Sequence, residues 1–359
     1  MRGFRVQRIA TRGAAIGAAA VLLAACGSAG HSGSSASGVD VASFSGTING
    51  SGSTFQLTFQ QAAIQAFKSV QSGMTVNYGG GGSGKGRTDL AAGTVNFAGS
   101  DSPIPANEQS SFKGKTVLYF PVVIGPITVS YNLPGVKNLK LTAPVIADIF
   151  QGKIKTWNDS AIKSINPGVS LPGTAITIAR RADSSGTTAN FSQFLVDAAP
   201  GVWKLGTGST ISWPANSRGG NGNGGVAQII KSTSGAIGYV DYADAKASGL
   251  TFASVKNKTG SYIAPTTTSA SAAASQAAVA SNLTFSAIWA SGASSYPITY
   301  QSWDLVYQKQ SSKNTANMLK AYIGYLLGDG QKLLSSLNYA PLPSSIDQKA
   351  KAQLSKIGS

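Results

Sequence analysis

Residues 47–73 read TINGSGSTFQLTFQQAAIQAFKSVQSG, and this stretch decides the fold class. It begins with a short strand candidate at Thr47-Ile48 and then turns through the glycine- and serine-rich residues 50–54. Apolar side chains recur after the turn at helical spacing: Phe55, Phe59, Ala62, Ala63, Ala66, Phe67 and Val70. Gly73 stops the helix. The stretch therefore predicts a strand, a glycine turn and a helix.

The same order continues along the chain. Residues 74–78 are a second strand candidate, followed by the glycine-rich loop 79–86 and a helix predicted from Arg87. Residues 95–98 are a third strand candidate, which ends at Ser100-Asp101. Repetition of this kind predicts an α/β fold with a mostly parallel sheet. Because such sheets bind ligands at the carboxyl ends of their strands, we expect these polar loops to meet.

Two long apolar runs, residues 117–132 and 296–308, stand apart from this pattern. The block between them has its own strand and helix signals. We interpret the chain as one lobe interrupted by a second, with the two runs as crossing strands. Lobe I is predicted at residues 46–125 and 297–359, and lobe II at residues 126–296. Such an arrangement suits a ligand held in a cleft that closes by a hinge motion.

Composition excludes several classes of function. The 359 residues are 42% apolar and 12% charged, and the formal net charge is +16. The basic residues are spread thinly and form no arm or stripe, so we expect no nucleic-acid partner, although the positive field attracts small anions. The only cysteine and histidine, Cys26 and His31, precede residue 40. The remaining body lacks the residues for Ser-His-Asp or Cys-His catalysis and for zinc clusters, and we expect neither metal nor cofactor.

The first 25 residues are predicted to be an export signal. Four arginines precede the small and apolar residues 14–25, which are too few to span a bilayer about 30 Å thick. The signal ends in Leu23-Ala24-Ala25-Cys26, which resembles a lipobox, whose cysteine is acylated and becomes the new N-terminus. An ordinary cleaved signal with an unrelated cysteine is the alternative. Residues 26–45, rich in Gly, Ser and Ala, are predicted to be a flexible tether.

Residues 176–188 read ITIARRADSSGTT and are the most informative segment for function. A strand here delivers arginine, then Asp, Ser, Gly and Thr, to the start of a helix. Unpaired N–H groups at a helix N-terminus, hydroxyl donors and a forked guanidinium together bind tetrahedral oxyanions. The structural alternative is that Asp183 or Ser185 only caps the helix while Arg181 pairs with Asp183 at the surface.

The glycine-rich loop 79–86 permits other interpretations. Its Gly79-x-x-x-x-Gly84-Lys85 pattern resembles a P-loop, but Gly86 stands where a P-loop has the hydroxyl that holds magnesium. A flexible linker is a further alternative. A short ordered loop that lets the backbone approach a ligand fits the position after a strand better.

The chain resembles the substrate-binding proteins of bacterial high-affinity phosphate ABC importers. Seven ordered landmarks carry the resemblance: residues 50–55, the glycine loop with Ser83, residues 98–101, 152–157, 180–187, 235–240 and 341–343. The resemblance implies a two-lobed periplasmic-binding-protein fold of type II. Each lobe would be a mostly parallel sheet flanked by helices, and two crossover strands would join the lobes.

The resemblance also implies the site. The family's phosphate ligands correspond to Thr54, Ser83, Asp101, Arg181, Ser185, Gly186 and Thr187, and Asp183 corresponds to a residue that orients the arginine. This chain departs from the family around Ser83, where it has Gly81, Gly84 and Lys85, and at Asn223-Gly224-Gly225, where an Asn-Asp-Gly sequence is common.

The implied function is binding of inorganic phosphate and its delivery to membrane permease subunits of an ABC transporter, without catalysis. The protein would be a monomer in the cell envelope, anchored by lipid at Cys26 and facing the periplasm or exterior. Asp101 is the predicted selectivity residue, because phosphate near neutral pH has a hydrogen to donate to a buried carboxylate and sulfate has none. The alternatives are an exported metal-dependent phosphatase or phosphoryl-transfer enzyme using Asp101 and Asp183, and a phosphate sensor or surface scaffold.

Overall fold

The computed structural model describes residues 44–359. The predicted export signal, Cys26 and most of the predicted tether lie outside the described residues. Between residues 44 and 359, no helix has the length and apolar character needed to cross a membrane.

The strands are β1 (Gly46–Gly52), β2 (Met74–Gly79), β3 (Phe97–Ser100), β4 (Val117–Tyr131), β5 (Lys140–Leu141), β6 (Thr177–Arg181), β7 (Arg218–Gly220), β8 (Ala236–Asp241), β9 (Thr251–Phe252), β10 (Ser254–Lys256), β11 (Tyr262–Ile263) and β12 (Thr299–Tyr307). The helices are α1 (Leu57–Val70), α2 (Ser83–Ala92), α3 (Ala143–Phe150), α4 (Ser160–Ser164), α5 (Gly186–Ala198), α6 (Gly222–Ser232), α7 (Tyr242–Ala247), α8 (Thr267–Ala274), α9 (Lys313–Leu327) and α10 (Ser344–Gln353), with 3₁₀ turns at Ala106–Phe112, Asp329–Leu333 and Leu354–Lys356.

A nine-stranded sheet runs through the molecule in the order β2-β1-β3-β12-β4-β8-β6-β7, with β9 beside β4. Strand β1 pairs in parallel with β2 and β3, and β6 pairs in parallel with β7 and β8. We call β1, β2 and β3, with the helices and loops attached to them and the neighbouring β12, the first half of the molecule. We call β6, β7 and β8, with the helices and loops attached to them, the second half. The α/β prediction, with parallel strands flanked by helices, is confirmed.

The two long apolar runs are both strands, as predicted. Strands β4 and β12 pair antiparallel from Val117 with Tyr307 to Pro126 with Thr299. Farther along, β4 pairs with β8, so this one strand pairs with both halves. The lobe boundaries at residues 125/126 and 296/297 stay a prediction.

Helix α1 confirms the predicted strand, turn and helix unit, because Phe59, Ala63 and Phe67 are buried along one face. Two helices begin before their apolar residues. Helix α2 begins at Ser83 rather than at the predicted Arg87, and α6 begins at Gly222, four residues before its first apolar side chain, Val226. Both starts are rich in glycine and lack apolar periodicity, so tertiary contacts rather than sequence pattern set them.

Core packing follows the apolar pattern. Trp157 and Trp303 are fully buried in the core. The Ala- and Ser-rich segment after Pro265 is partly buried as α8. Ala270, Ala273 and Ala274 lie in the core, because small side chains let this helix pack closely against β4 and β12.

Candidate functional site

Asp101 is the buried carboxyl group of the first half. It follows β3, and its side chain is surrounded by three serines. Ser53 and Ser302 each donate a hydrogen bond to Oδ1 at 2.5 Å, and Ser83 donates to Oδ2 at 3.2 Å. Burial raises the pKa of Asp101, while the hydrogen bonds and the charge of Arg181 oppose that rise. Oδ1 is therefore fully engaged, and Oδ2 retains accepting capacity.

Arg181 is the buried cation of the second half, at the end of β6. Its Nε donates to Oδ1 of Asp183 at 2.7 Å, and its Nη2 donates to Oδ2 of the same carboxylate. Burial disfavours the Asp183 carboxylate, but the hydrogen bonds and charge of Arg181 outweigh this and lower the pKa of Asp183. Nη1 lies 3.4 Å from the Thr187 hydroxyl oxygen. The bidentate pair fixes the guanidinium plane and leaves N–H groups on its other edges for a ligand.

Tyr239 supports Arg181 from behind. The phenol accepts a 3.1 Å hydrogen bond from the Arg181 amide and shares a 2.7 Å hydrogen bond with the Thr188 hydroxyl. Burial raises the pKa of Tyr239 to about 12, so the phenol stays neutral near pH 7. Strand β6 and the first turn of α5 are thus held in one fixed relation.

The first turn of α5 supplies main-chain donors. Ser185 caps the helix, and its hydroxyl oxygen accepts the Thr188 amide at 3.1 Å. Gly186 and Thr187 precede Thr188, so their amides belong to the first turn, where no helical carbonyl is available to N–H groups. These amides and the positive end of the helix dipole form an anion-binding surface.

Gly186 is where the second half meets Asp101. A Cβ at this position would lie 2.7 Å from Asp101 Oδ2 and would also collide with Ser83. Only glycine lets the start of α5 approach this carboxylate so closely. Asn190, one turn along α5, donates from Nδ2 to the Asp101 carbonyl at 2.7 Å.

Thr54 forms a second contact between the halves. Its hydroxyl oxygen accepts from the amide of Asn223 at 3.3 Å and from Asn223 Nδ2 at 3.2 Å. Asn223 is fully buried near the start of α6. Asn223, the first residue of the Asn-Gly-Gly sequence, therefore contacts the other half directly.

The glycine-rich loop makes a third contact. The Gly84 amide donates to the Ser184 carbonyl at 3.0 Å. A Cβ at Gly82 would lie 2.5 Å from Asp183 Oδ2 and from the Ser184 carbonyl oxygen. Residues 80–82 connect β2 to α2, and the glycines at positions 82 and 84 allow the two halves to contact each other.

A family model described as a PBP superfamily domain matches residues 36–330. A phosphate-binding protein PstS from Pasteurella multocida is 35% identical over 313 residues, which cover 86% of this chain and 89% of the relative. Phosphate-binding protein PstS 3 from Mycobacterium leprae is 33% identical, and the match covers 94% of this chain and 96% of the relative. This chain belongs to the PstS family of phosphate-binding proteins.

Solved structures share the fold of this PstS family member. A high-affinity periplasmic phosphate-binding protein, PfluDING, determined with bound phosphate, has a TM-score of 0.71 at 20% identity and covers 86% of this chain and 94% of its own. A phosphate-binding protein from Stenotrophomonas maltophilia has a TM-score of 0.69 at 18% identity, with the same coverage of 86% and 94%. These likenesses establish the type II binding-protein architecture.

The structure brings the residues predicted as phosphate ligands together. Those from the first half, Thr54, Ser83 and Asp101, face those from the second half, Arg181, Ser185, Gly186 and Thr187, and Asp183 holds Arg181. Their roles as ligands stay a prediction. Within residues 44–359, no three His, Cys, Asp or Glu side chains form a possible metal site.

Sequence reasoning missed four residues at this site of the PstS family member: Ser53, Asn190, Asn223 and Ser302. Ser53 was adjacent to the predicted Thr54, and Asn190 lies one helical turn after Gly186. Ser302 carried a usable signal, because it is a polar residue within an apolar run predicted to be a crossing strand, and the structure buries it. Its partner Asp101 lies 201 positions away, so the sequence could not identify the contact.

Proposed function

We propose that this chain binds inorganic phosphate outside the cytoplasmic membrane and delivers it to the permease of an ABC importer. The observation that carries the proposal is the meeting of a buried arginine, a helix N-terminus and a buried carboxyl group. Gly186 lies against Asp101, and Arg181 reaches Thr187 in the same helical turn. The relatives described above are binding proteins, and we propose that this chain likewise catalyses no reaction.

The anion would take its countercharge from Arg181 and main-chain hydrogen bonds from Gly186 and Thr187. The hydroxyl groups are arranged to donate. The Ser185 oxygen already accepts from Thr188, and the Thr54 oxygen accepts from Asn223, so each hydroxyl hydrogen is free for an oxyanion. Hydrogen bonds to a charged partner contribute about 1.5–3 kcal/mol each.

Asp101 would supply selectivity. With Ser53 and Ser302 on Oδ1, the Oδ2 atom beside Gly186 is the acceptor for the hydrogen of phosphate. Sulfate brings no hydrogen, so its oxygen would face Oδ2 unpaired in a buried site. Discrimination of this kind reaches about 10⁴-fold.

Release would require the two halves to separate. The Gly84–Ser184, Asn190–Asp101 and Asn223–Thr54 hydrogen bonds hold them together. We propose that lobe I (46–125 and 297–359) and lobe II (126–296) rotate apart at β4 and β12 when the permease accepts phosphate. The protein would act as a monomer in the cell envelope, anchored by lipid on Cys26 after removal of the signal.

The phosphatase alternative gains no support from the site. Asp183 is engaged by Arg181, and Asp101 accepts hydrogen bonds from three serines. Neither carboxylate is arranged with others as a group of metal ligands, which metal-assisted phosphoryl transfer needs.

Calorimetric titration of the wild type and two arginine variants with phosphate tests the proposal. We expect the wild type to bind phosphate and Arg181→Met to bind about 1,000-fold more weakly, because two or more charged hydrogen bonds are lost. Arg218→Met is the matched control, since Arg218 is exposed and bonds to Thr233 away from the site. The proposal fails if the wild type releases no heat with phosphate or if Arg181→Met binds like Arg218→Met.

A further inference from the structure

A second buried acid, Asp304, lies behind Asp101 in the first half. It follows Ser302 by two positions on β12, so the two side chains are on one face of the strand. Asp304 is fully buried, and Nε2 of Gln60 donates to its two carboxyl oxygens at 3.2 and 3.1 Å. Burial raises the pKa of Asp304 to about 7, against the opposing hydrogen bonds from Gln60 and Gln56. Burying an acid in the core lowers the free energy of unfolding, so its presence there points to a functional role.

Gln60 is held in one orientation. Its Oε1 accepts from the Tyr322 phenol at 2.6 Å, while its Nε2 faces the Asp304 carboxyl group. A flipped amide would set Oε1 against the carboxyl oxygens and Nε2 against the phenol hydrogen. The second hydrogen of Nε2 goes to Oε1 of Gln56 at 2.9 Å.

Gln56 passes this orientation to Ser302. Because its Oε1 accepts from Gln60, its Nε2 must face the other way, where it donates to Ser302 Oγ at 2.7 Å and to the Trp303 carbonyl at 3.0 Å. The Ser302 oxygen thus accepts from Gln56, and its own hydrogen goes to Asp101 Oδ1 at 2.5 Å. Every member of this chain is buried, so water does not offer alternative partners.

Building on the proposed phosphate binding, we propose that Asp304 is a positioning residue for Asp101. Through Gln60 and Gln56 it fixes the direction of the hydrogen bond that Ser302 donates to Oδ1. That donor favours the ionised carboxylate and leaves Oδ2 as the acceptor for the ligand's hydrogen. Asp304 therefore contributes to selectivity without contacting the ligand.

The groups that face each acid define a usable pH readout. Asp101 interacts electrostatically with Arg181, Asp241 and the phenols of Tyr78, Tyr300 and Tyr339. Asp304 interacts electrostatically with the phenols of Tyr78 and Tyr322. Burial raises the pKa of each of these phenols, so they remain neutral near pH 7. Asp241 is kept in every variant below, and Ser302→Ala keeps Asp304 as well, so a shift in Ser302→Ala reports on Asp101 without the loss of the Asp304 carboxyl group.

The test is calorimetric titration of the full chain with inorganic phosphate from about pH 5 to about pH 8. In Asp304→Leu, the Gln60 amide keeps Tyr322 but loses the carboxyl acceptor of its Nε2, so the orientation relayed through Gln56 to Ser302 is less strictly fixed. We expect phosphate binding to weaken about tenfold and the loss of binding on acidification to begin at higher pH, because Asp101 loses a donor. Removal of negative charge from Asp304 would move that limb to lower pH, and this effect is small below the Asp304 pKa of about 7, so an upward shift reports the lost donor.

A double-mutant comparison completes the test. Ser302→Ala should show the same upward shift, and Asp304→Leu combined with Ser302→Ala should bind no more weakly than Ser302→Ala alone. Asp304→Asn, which keeps an acceptor for Gln60, should bind like the wild type. Gln60→Leu breaks the chain at another point and replaces Asp304→Leu if the latter does not fold. Gln353→Leu is the matched control, since the buried Gln353 amide donates to the Tyr119 carbonyl and takes no part in the hydrogen-bond series from Asp304 to Asp101.

Three results would each overturn the positioning role. They are additive losses of phosphate affinity in the double variant, a loss of binding on acidification that begins at the same pH as in the wild type, and phosphate binding by Asp304→Asn that is as weak as by Asp304→Leu. A wild type that fails to bind phosphate would instead contradict the proposed function, so the two failures are distinguishable.

Discussion

The two halves of the site each present one carboxyl group, and their surroundings shift the two pKa values in opposite directions. In the first half, Asp101 sits among serines, and burial raises its pKa. In the second half, Asp183 faces Arg181, which lowers its pKa despite burial. One carboxylate keeps an oxygen that can accept a further hydrogen bond, and the other is fully paired with a guanidinium. The role of each acid follows from its neighbours and not from its residue type.

The largest effect in this comparison is expected where the halves meet at Asp101. In Gly186→Ala the added methyl group would lie 2.7 Å from Oδ2. We expect phosphate affinity to fall about 100-fold, because the methyl group covers the accepting oxygen and keeps α5 from its position. Calorimetry with phosphate measures the loss.

Gly224→Ala is the matched control for that change, since Gly224 lies in the first turn of α6 and an added Cβ would meet nothing within 4 Å. Equal affinities in the two alanine variants would remove Gly186 from the meeting point of the halves.

A smaller effect is expected at Gly84 of the glycine-rich loop, whose amide joins the halves through the Ser184 carbonyl. In Gly84→Ala the new Cβ would collide with the Ser184 side chain and disturb the 3.0 Å hydrogen bond between these residues. We expect phosphate to bind about tenfold more weakly, with faster release in stopped-flow measurements. Ser184→Gly in the same chain should restore much of the affinity, because it removes the colliding atoms.

Gly79→Ala should bind like the wild type, since no atom lies within 4 Å of its added Cβ. If Gly84→Ala combined with Ser184→Gly does not regain phosphate affinity, a direct clash between these two residues is not the cause of the loss.

The smallest effects concern stability without phosphate, and here the two acids should behave oppositely. The folded-state pKa of Asp183 is lowered, so its stabilisation is present above the unfolded-state pKa and is lost as pH falls through the folded-state pKa. The folded-state pKa of Asp101 is raised, so the stabilisation of the folded state by protonated Asp101 is present at low pH and is lost as pH rises through the folded-state pKa.

Thermal unfolding at neutral pH should therefore show Asp183→Asn a few degrees below the wild type and Asp101→Asn a few degrees above it. Both differences should shrink toward about pH 3. Asp329→Asn, at an exposed acid paired with Lys332, is the control and should leave the melting temperature unchanged. Shifts of the same sign in the two site variants would contradict the contrast between the halves.

Much of this contrast was predictable from sequence. The segment from Arg181 to Thr187 carries its chemistry in consecutive residues, so the strand, arginine and helix start could be predicted together. Asp101 was placed correctly at a strand end by the strand, loop and helix order. These predictions depend on local pattern, which a single sequence contains.

The rest depends on contacts between distant residues. Ser302 and Asn190 reach Asp101 from 201 and 89 positions away. The close approach at Gly82, Gly84 and Gly186 reflects what packs against each glycine, which no local pattern encodes. The early start of α2 has the same cause, since a glycine-rich turn gives no apolar periodicity to count.

The central claim is that Asp101 accepts a hydrogen from the bound anion, and the most direct test is the ratio of phosphate to sulfate affinity in the wild type and in Asp101→Asn. We expect the wild type to favour phosphate by orders of magnitude and Asp101→Asn to lose most of that preference, because an amide nitrogen facing the ligand can donate to either anion. An unchanged ratio in Asp101→Asn, with phosphate still strongly preferred, would contradict the account.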